Sequence, residues 1–149
     1  MSYKSQSANM TKLHNLLKND LGYIRGGFES APGGDKKKFH TTGRAFLSTL
    51  GKDLAFQEFK VTKNYAGIAV SGEVTLMGIW SEGNGLYIQL REDLMFNTCI
   101  IYRSIRHMKD FSGGKNNYIS MSDMMEGEYD RLLSKFLKFK EAGYESNAA

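Results

Sequence analysis

The spacing of apolar residues changes period along this chain, and the changes divide it into elements. From about Met10 to Ile24, the positions Met10, Leu13, Leu16, Leu17, Leu21 and Ile24 recur at helical spacing. Gly22 and then Gly26-Gly27 end that helix, and GGFESAPGGDKKK reads as an exposed Gly/Lys-rich loop over residues 26–38. Residues 1–8 are small and polar and are expected to fray. Thr41 or Thr42 caps a second helix to roughly Leu54, with Phe46, Leu47, Leu50 and Leu54 on its buried side.

The period then shortens to two. Phe59 and Val61 alternate in a first strand, and Val70, Val74, Leu76 and Trp80 share one face of a second. Asn84-Gly85 between two alternating runs predicts a hairpin, because both residues tolerate positive φ. Beyond it Leu86, Ile88 and Leu90 point one way, Tyr87, Gln89 and Arg91 the other. A fourth strand spans about Asn97 to Ile105, and a short fifth includes Tyr118 to Met121. After Ser122 or Asp123 the helical period returns in Tyr129, Leu132, Leu133, Phe136 and Leu137, and Gly143 stands at a C-cap. The order predicts a single α+β domain over residues 1–149: an antiparallel four- to five-stranded sheet with two N-terminal helices and one C-terminal amphipathic helix packed on it. One sheet face lies under helices, and the other is open to solvent or to a partner.

Composition adds a charge bias. The 149 residues carry a formal net charge of +4, which favours anionic partners without approaching the charge of a chromatin protein. The excess sits in two places. Residues 1–40 hold Lys4, Lys12, Lys18, Arg25, Lys36, Lys37 and Lys38 against Asp20, Glu29 and Asp35; residues 99–118 hold Arg103, Arg106, Lys109 and Lys115 against Asp110. The lone cysteine, Cys99, excludes an internal disulfide and a multi-cysteine metal site, so a reducing, cytoplasmic setting is the simplest expectation. No secretory leader and no membrane-spanning run is evident.

Candidate chemistry is sparse. Cys99 lies mid-strand without a glycine elbow or helix N-terminus to activate it, and reads as core. His14, His40 and His107 are too scattered for metal-ligand spacing: His14 reads as a helix-surface residue, while His40 and His107 stand beside cations that suit a phosphate-binding surface. Ser112-Gly113-Gly114-Lys115 lacks the spacing of a phosphate cradle. The sequence nominates no catalytic residue, metal ligand or cofactor.

The basic segments are the remaining signal. Lys36, Lys37, Lys38 and Arg44 gather near the start of the second helix, a place that favours anions. Arg103, Arg106, Lys109 and Lys115 form the second group, with Tyr87, Tyr102, Phe111 and Tyr118 nearby. A sheet face offering Tyr87, Gln89, Arg91 and Arg103 would combine base stacking with phosphate contacts. The plainer reading makes the charges a solvated surface and the aromatics core.

The run IIYRSIRHMKDFSGGKNNYIS, with GKDLAFQEFKVTKNYAGIAVSGEVTLMG before it, resembles a pattern in small accessory proteins of phages and mobile elements. The resemblance covers about residues 42–123. No activity attaches to those proteins, so it transfers no functional residue; it implies a setting in which such proteins act on DNA or on host defence. The expectation is a non-enzymatic protein of the bacterial cytoplasm that blocks or modulates a nucleic-acid-handling, anti-CRISPR-like target, a protein or ribonucleoprotein complex, through basic surface loops. The alternatives are direct binding of single-stranded nucleic acid on the open sheet face and, third, a small enzyme.

Overall fold

Alternation in the two central strands decides which way the sheet faces. Val74, Leu76 and Trp80 of β2 (Glu73–Ser81) and Leu86, Ile88 and Leu90 of β3 (Asn84–Asp93) are buried on one side. The computed structural model describes residues 3–19, 35–64, 72–93, 98–120, 123 and 129–147. Among these the chain runs α1 (Tyr3–Asn19), α2 (Asp35–Asp53), β1 (Glu58–Asn64), β2, β3, β4 (Thr98–Ile105), β5 (Asn117–Ser120) and α3 (Tyr129–Asn147). The strands form one antiparallel sheet in sequence order, β1 to β5. This is the expected α+β meander, with two helices before it and one after. No helix among the described residues is long and apolar enough to cross a membrane.

All three helices contribute to a single core on one sheet face. Phe46, Leu47, Leu50 and Leu54 of α2 join Val74, Leu76, Leu86, Ile88 and Leu90, while Tyr129, Leu132, Leu133 and Phe136 come from α3. Full burial of one such side chain is worth about 1.5–3 kcal/mol, so this cluster is the main source of stability. Polar atoms inside it are tied down. The Trp80 indole donates to the Leu54 carbonyl at 2.8 Å, and the Tyr129 hydroxyl reaches the Asp53 carboxylate at 2.7 Å. Tyr102 of β4 meets Phe136 and Phe139 edge-on at 5.1 and 5.4 Å between ring centres.

Several boundaries differ from the sequence reading. α1 begins at Tyr3, so residues 3–8 are helical rather than frayed. The reason is Gln6, fully buried with its amide donating to the Phe46 carbonyl at 2.9 Å, which anchors the first turns on α2. α2 begins at Asp35, so Lys36, Lys37 and Lys38 lie in its first turn and not in a loop; buried Phe39 extends its apolar side backward. The expected end of the first helix at Gly22 to Gly27, and loop residues 26–34, fall outside the described residues. The β2–β3 turn is Glu82-Gly83, with Gly83 at φ 79°, while Asn84 and Gly85 already belong to β3. That register sets Leu86 opposite Gly78 and Ile88 opposite Leu76, keeping the apolar row on one face. Asn84 donates instead to the Lys140 carbonyl at 3.0 Å, tying the hairpin to α3. Gly143 interrupts α3 with φ 79°, and one further turn follows it.

Candidate binding loop

β4 carries Ile100, Tyr102 and Ser104 toward the helices and Ile101, Arg103 and Ile105 toward the open face, since Tyr87 pairs with Arg103 and Gln89 with Ile101. The chain then leaves the sheet at Arg106 and returns as β5, with Tyr118 opposite Ile101. The intervening loop is held from inside by two arginines.

Arg103 does not reach solvent: it is 8% exposed. Its guanidinium donates to the Gly113 carbonyl at 2.6 Å and to the Asp110 carbonyl at 3.1 Å. The same group lies 4.4 Å from the centre of the Tyr87 ring, and Gln89 donates to the Tyr87 hydroxyl at 2.8 Å. A planar fork with several donors suits this task, binding two carbonyls while its face packs on an aromatic ring.

Asp110 is the second anchor. Its carboxylate accepts from the Arg106 backbone amide at 3.0 Å, from Arg106 Nε at 2.9 Å and Nη2 at 3.2 Å, and from the Ser112 amide at 3.3 Å. The Asp110 side chain is 1% exposed while that of Arg106 is 50% exposed, so the pair closes the loop with the acid inside. Hydrogen bonding by Arg106 holds the Asp110 carboxyl well below the usual carboxylate range, against the opposing effect of burial. Arg106 also lies 5.4 Å from the ring centre of Tyr144, the residue that the break at Gly143 turns toward the loop. Gly114, at φ 78°, completes the turn, and a side chain there would collide with the Ser104 backbone.

What this frame presents outward is aromatic and cationic. Phe111 is 72% exposed and Tyr118 61%, the exposed large apolar side chains among the described residues. His107, Lys109 and Lys115 are exposed beside them in the chain.

The site residues nominated from sequence therefore divide. Tyr87, Arg103, Arg106, Lys109 and Lys115 do come together at this loop, but Arg103 and Tyr87 are engaged with each other beneath it. Arg106 is engaged with Asp110, which leaves Lys109 and Lys115 as the outward cations. Arg91 stands opposite Glu73 across β2 and β3, toward the other end of the sheet. Lys37, Lys38 and Arg44 are exposed on α2, whose Gly43 packs against Val74 and Leu90 at that same far end; the side chain of Lys36 lies outside the described residues. The two basic groups thus do not form one surface. His14 and His40 are buried, which withdraws them from the surface roles their sequence positions suggest; His40 meets Phe39 edge-on at 5.4 Å. Cys99 is buried as expected, its thiol 3.6 Å from the Ile119 and Ser120 carbonyls. Burial, aided by Asp123, pushes that thiol up to about 12.

Sequence reasoning missed Asp110 as an organiser. The signal was present: an aspartate two residues before a serine amide and followed by Gly-Gly is the pattern of an Asx turn. The role of Tyr144 had no local signal, because it acts on residues far away in the chain. No family model, curated protein or solved structure matches this chain.

Proposed function

We propose that this chain is a non-enzymatic binding protein that docks the β4–β5 loop on a nucleic-acid-handling protein or ribonucleoprotein complex and blocks or modulates it. The observation behind this reading is Phe111, an aromatic ring left 72% exposed on a loop fastened from within. Exposing such a ring gains nothing for folding, whereas burying a rigid aromatic anchor in a partner's pocket is how interfaces obtain most of their affinity. A fastened loop also loses little freedom on binding. Lys109 and Lys115 beside the anchor favour an acidic rim on the partner. The likeness to phage and mobile-element accessory proteins supplies the setting, the cytoplasm of a bacterial host.

The competing reading, a single strand laid on the open sheet face, has less support. It relied on Tyr87 and Arg103, and the guanidinium of one covers the ring of the other, so that ring face is closed to a base.

The test is capture from host lysate on immobilised wild-type protein and on Phe111→Ala, followed by mass spectrometry. The expected outcome is a nuclease or other nucleic-acid-handling complex retained by the wild type and lost with the variant. Recovery of no such complex, or equal recovery on both, overturns the proposal.

A further inference from the structure

A further cationic surface lies on the helix-covered side of the sheet. Arg131, Lys135 and Lys138 are exposed and fall at i, i+4 and i+7 on one side of α3, spanning about 10 Å along the helix axis. None of the three has an ion pair among the described residues. They line a cleft of about 450 Å³ whose apolar lining comes from Met10 of α1, Ile119 of β5 and Leu132 of α3. Asp123 and Asp130 line it as well.

We propose that this cleft binds single-stranded nucleic acid, with backbone phosphates on Arg131, Lys135 and Lys138. Three exposed cations on one helix face form an electrostatic footprint for a polyanion. The width of the cleft selects the form of that polyanion. A duplex, two strands wide, meets only the rim of a cleft of about 450 Å³, whereas a single strand can enter it and run its phosphates along the cationic wall. The two carboxylates repel phosphate, which restricts the backbone to the cationic wall and leaves the acids to accept from base amino groups. This site is separate from the β4–β5 loop and independent of the partner proposed for that loop.

The experiment is fluorescence anisotropy with a labelled oligodeoxycytidine single strand, whose bases carry the amino groups, titrated across salt concentrations. Three phosphate contacts predict that the logarithm of the binding constant falls with the logarithm of salt at a slope of about −2. The triple variant Arg131→Gln, Lys135→Gln, Lys138→Gln is expected to bind at least about tenfold more weakly at low salt and to lose most of that slope. Phe111→Ala is expected to bind the strand as the wild type does. No binding by wild-type protein at low salt, or unchanged binding by the triple variant, overturns the proposal. Equal affinity for a duplex of the same length overturns the assignment to single strands. A wild-type result here combined with a failed lysate capture would remove the loop reading and leave this one standing.

Discussion

The β4–β5 loop and the outer side of α3 are both rich in cations, and they dispose of them in opposite ways. In the loop the arginines are structural: Arg103 fastens two carbonyls beneath the surface, and Arg106 closes on a buried Asp110. On α3 the cations Arg131, Lys135 and Lys138 all line a cleft, with no acid paired to them among the described residues. Counting charges ranks the loop as the more basic contact surface. The geometry reverses part of that ranking, because a charge already satisfied internally has little left for a partner. What the loop offers instead is a shaped aromatic tip, and α3 offers the freer charge.

The sharpest way to break this comparison is Asp110→Ala. Removing a carboxylate that accepts four hydrogen bonds leaves the Arg106 and Ser112 amides without their acceptor. The expected loss is about 3 kcal/mol, read as a lower urea midpoint with an unchanged slope. Unchanged stability would make the loop's charges as superficial as those of α3.

Acid should expose the same contrast. Arg106 lowers the Asp110 carboxyl in the folded state. A group lowered by folding contributes stability in full above its unfolded value near ~4 and loses it as pH falls toward the folded one. Wild-type stability should therefore decline from about pH 5 downward, and Asp110→Asn should decline less over that window. Lys135 has no carboxylate partner among the described residues, so Lys135→Gln should keep the wild-type acid profile. An identical profile for the Asn variant would show that Asp110 is not held low. Arg103→Met comes next in size: it leaves the Gly113 and Asp110 carbonyls without their donor, at an expected cost of about 2 kcal/mol by chemical denaturation.

How much of this was legible differs between the two regions for a physical reason. Periodicity exposes any element with one buried face, so the helices, the strand faces at Leu86–Leu90 and the burial of Cys99 could all be read in advance. Element ends depend on single polar contacts across long sequence separations, such as Gln6 with Phe46, and local pattern carries no trace of them. The loop presents the same difficulty in concentrated form. Arg103 looked like a surface cation because strand alternation places it on the open face, and only the return of Asp110 and Gly113 over that face buries it. The α3 cations went unremarked although their spacing was readable, since the apolar set on the same helix accounts for its fold without them.

The smallest expected effects sharpen the comparison most, because they separate folding from binding. Phe111→Ala and the triple glutamine variant of α3 both alter exposed side chains that the fold does not use. Each should lie within about 0.5 kcal/mol of wild type by urea denaturation. A ring 72% exposed in the folded protein gives up little buried area when it is truncated, and exposed surface cations contribute little attraction to lose. A loss of 2 kcal/mol or more for Phe111→Ala, well above what an exposed site yields, would make the ring part of the loop's internal packing and remove it as a partner anchor. If both variants instead keep their stability while each loses a different binding activity, the molecule has two working surfaces on opposite sides of one sheet.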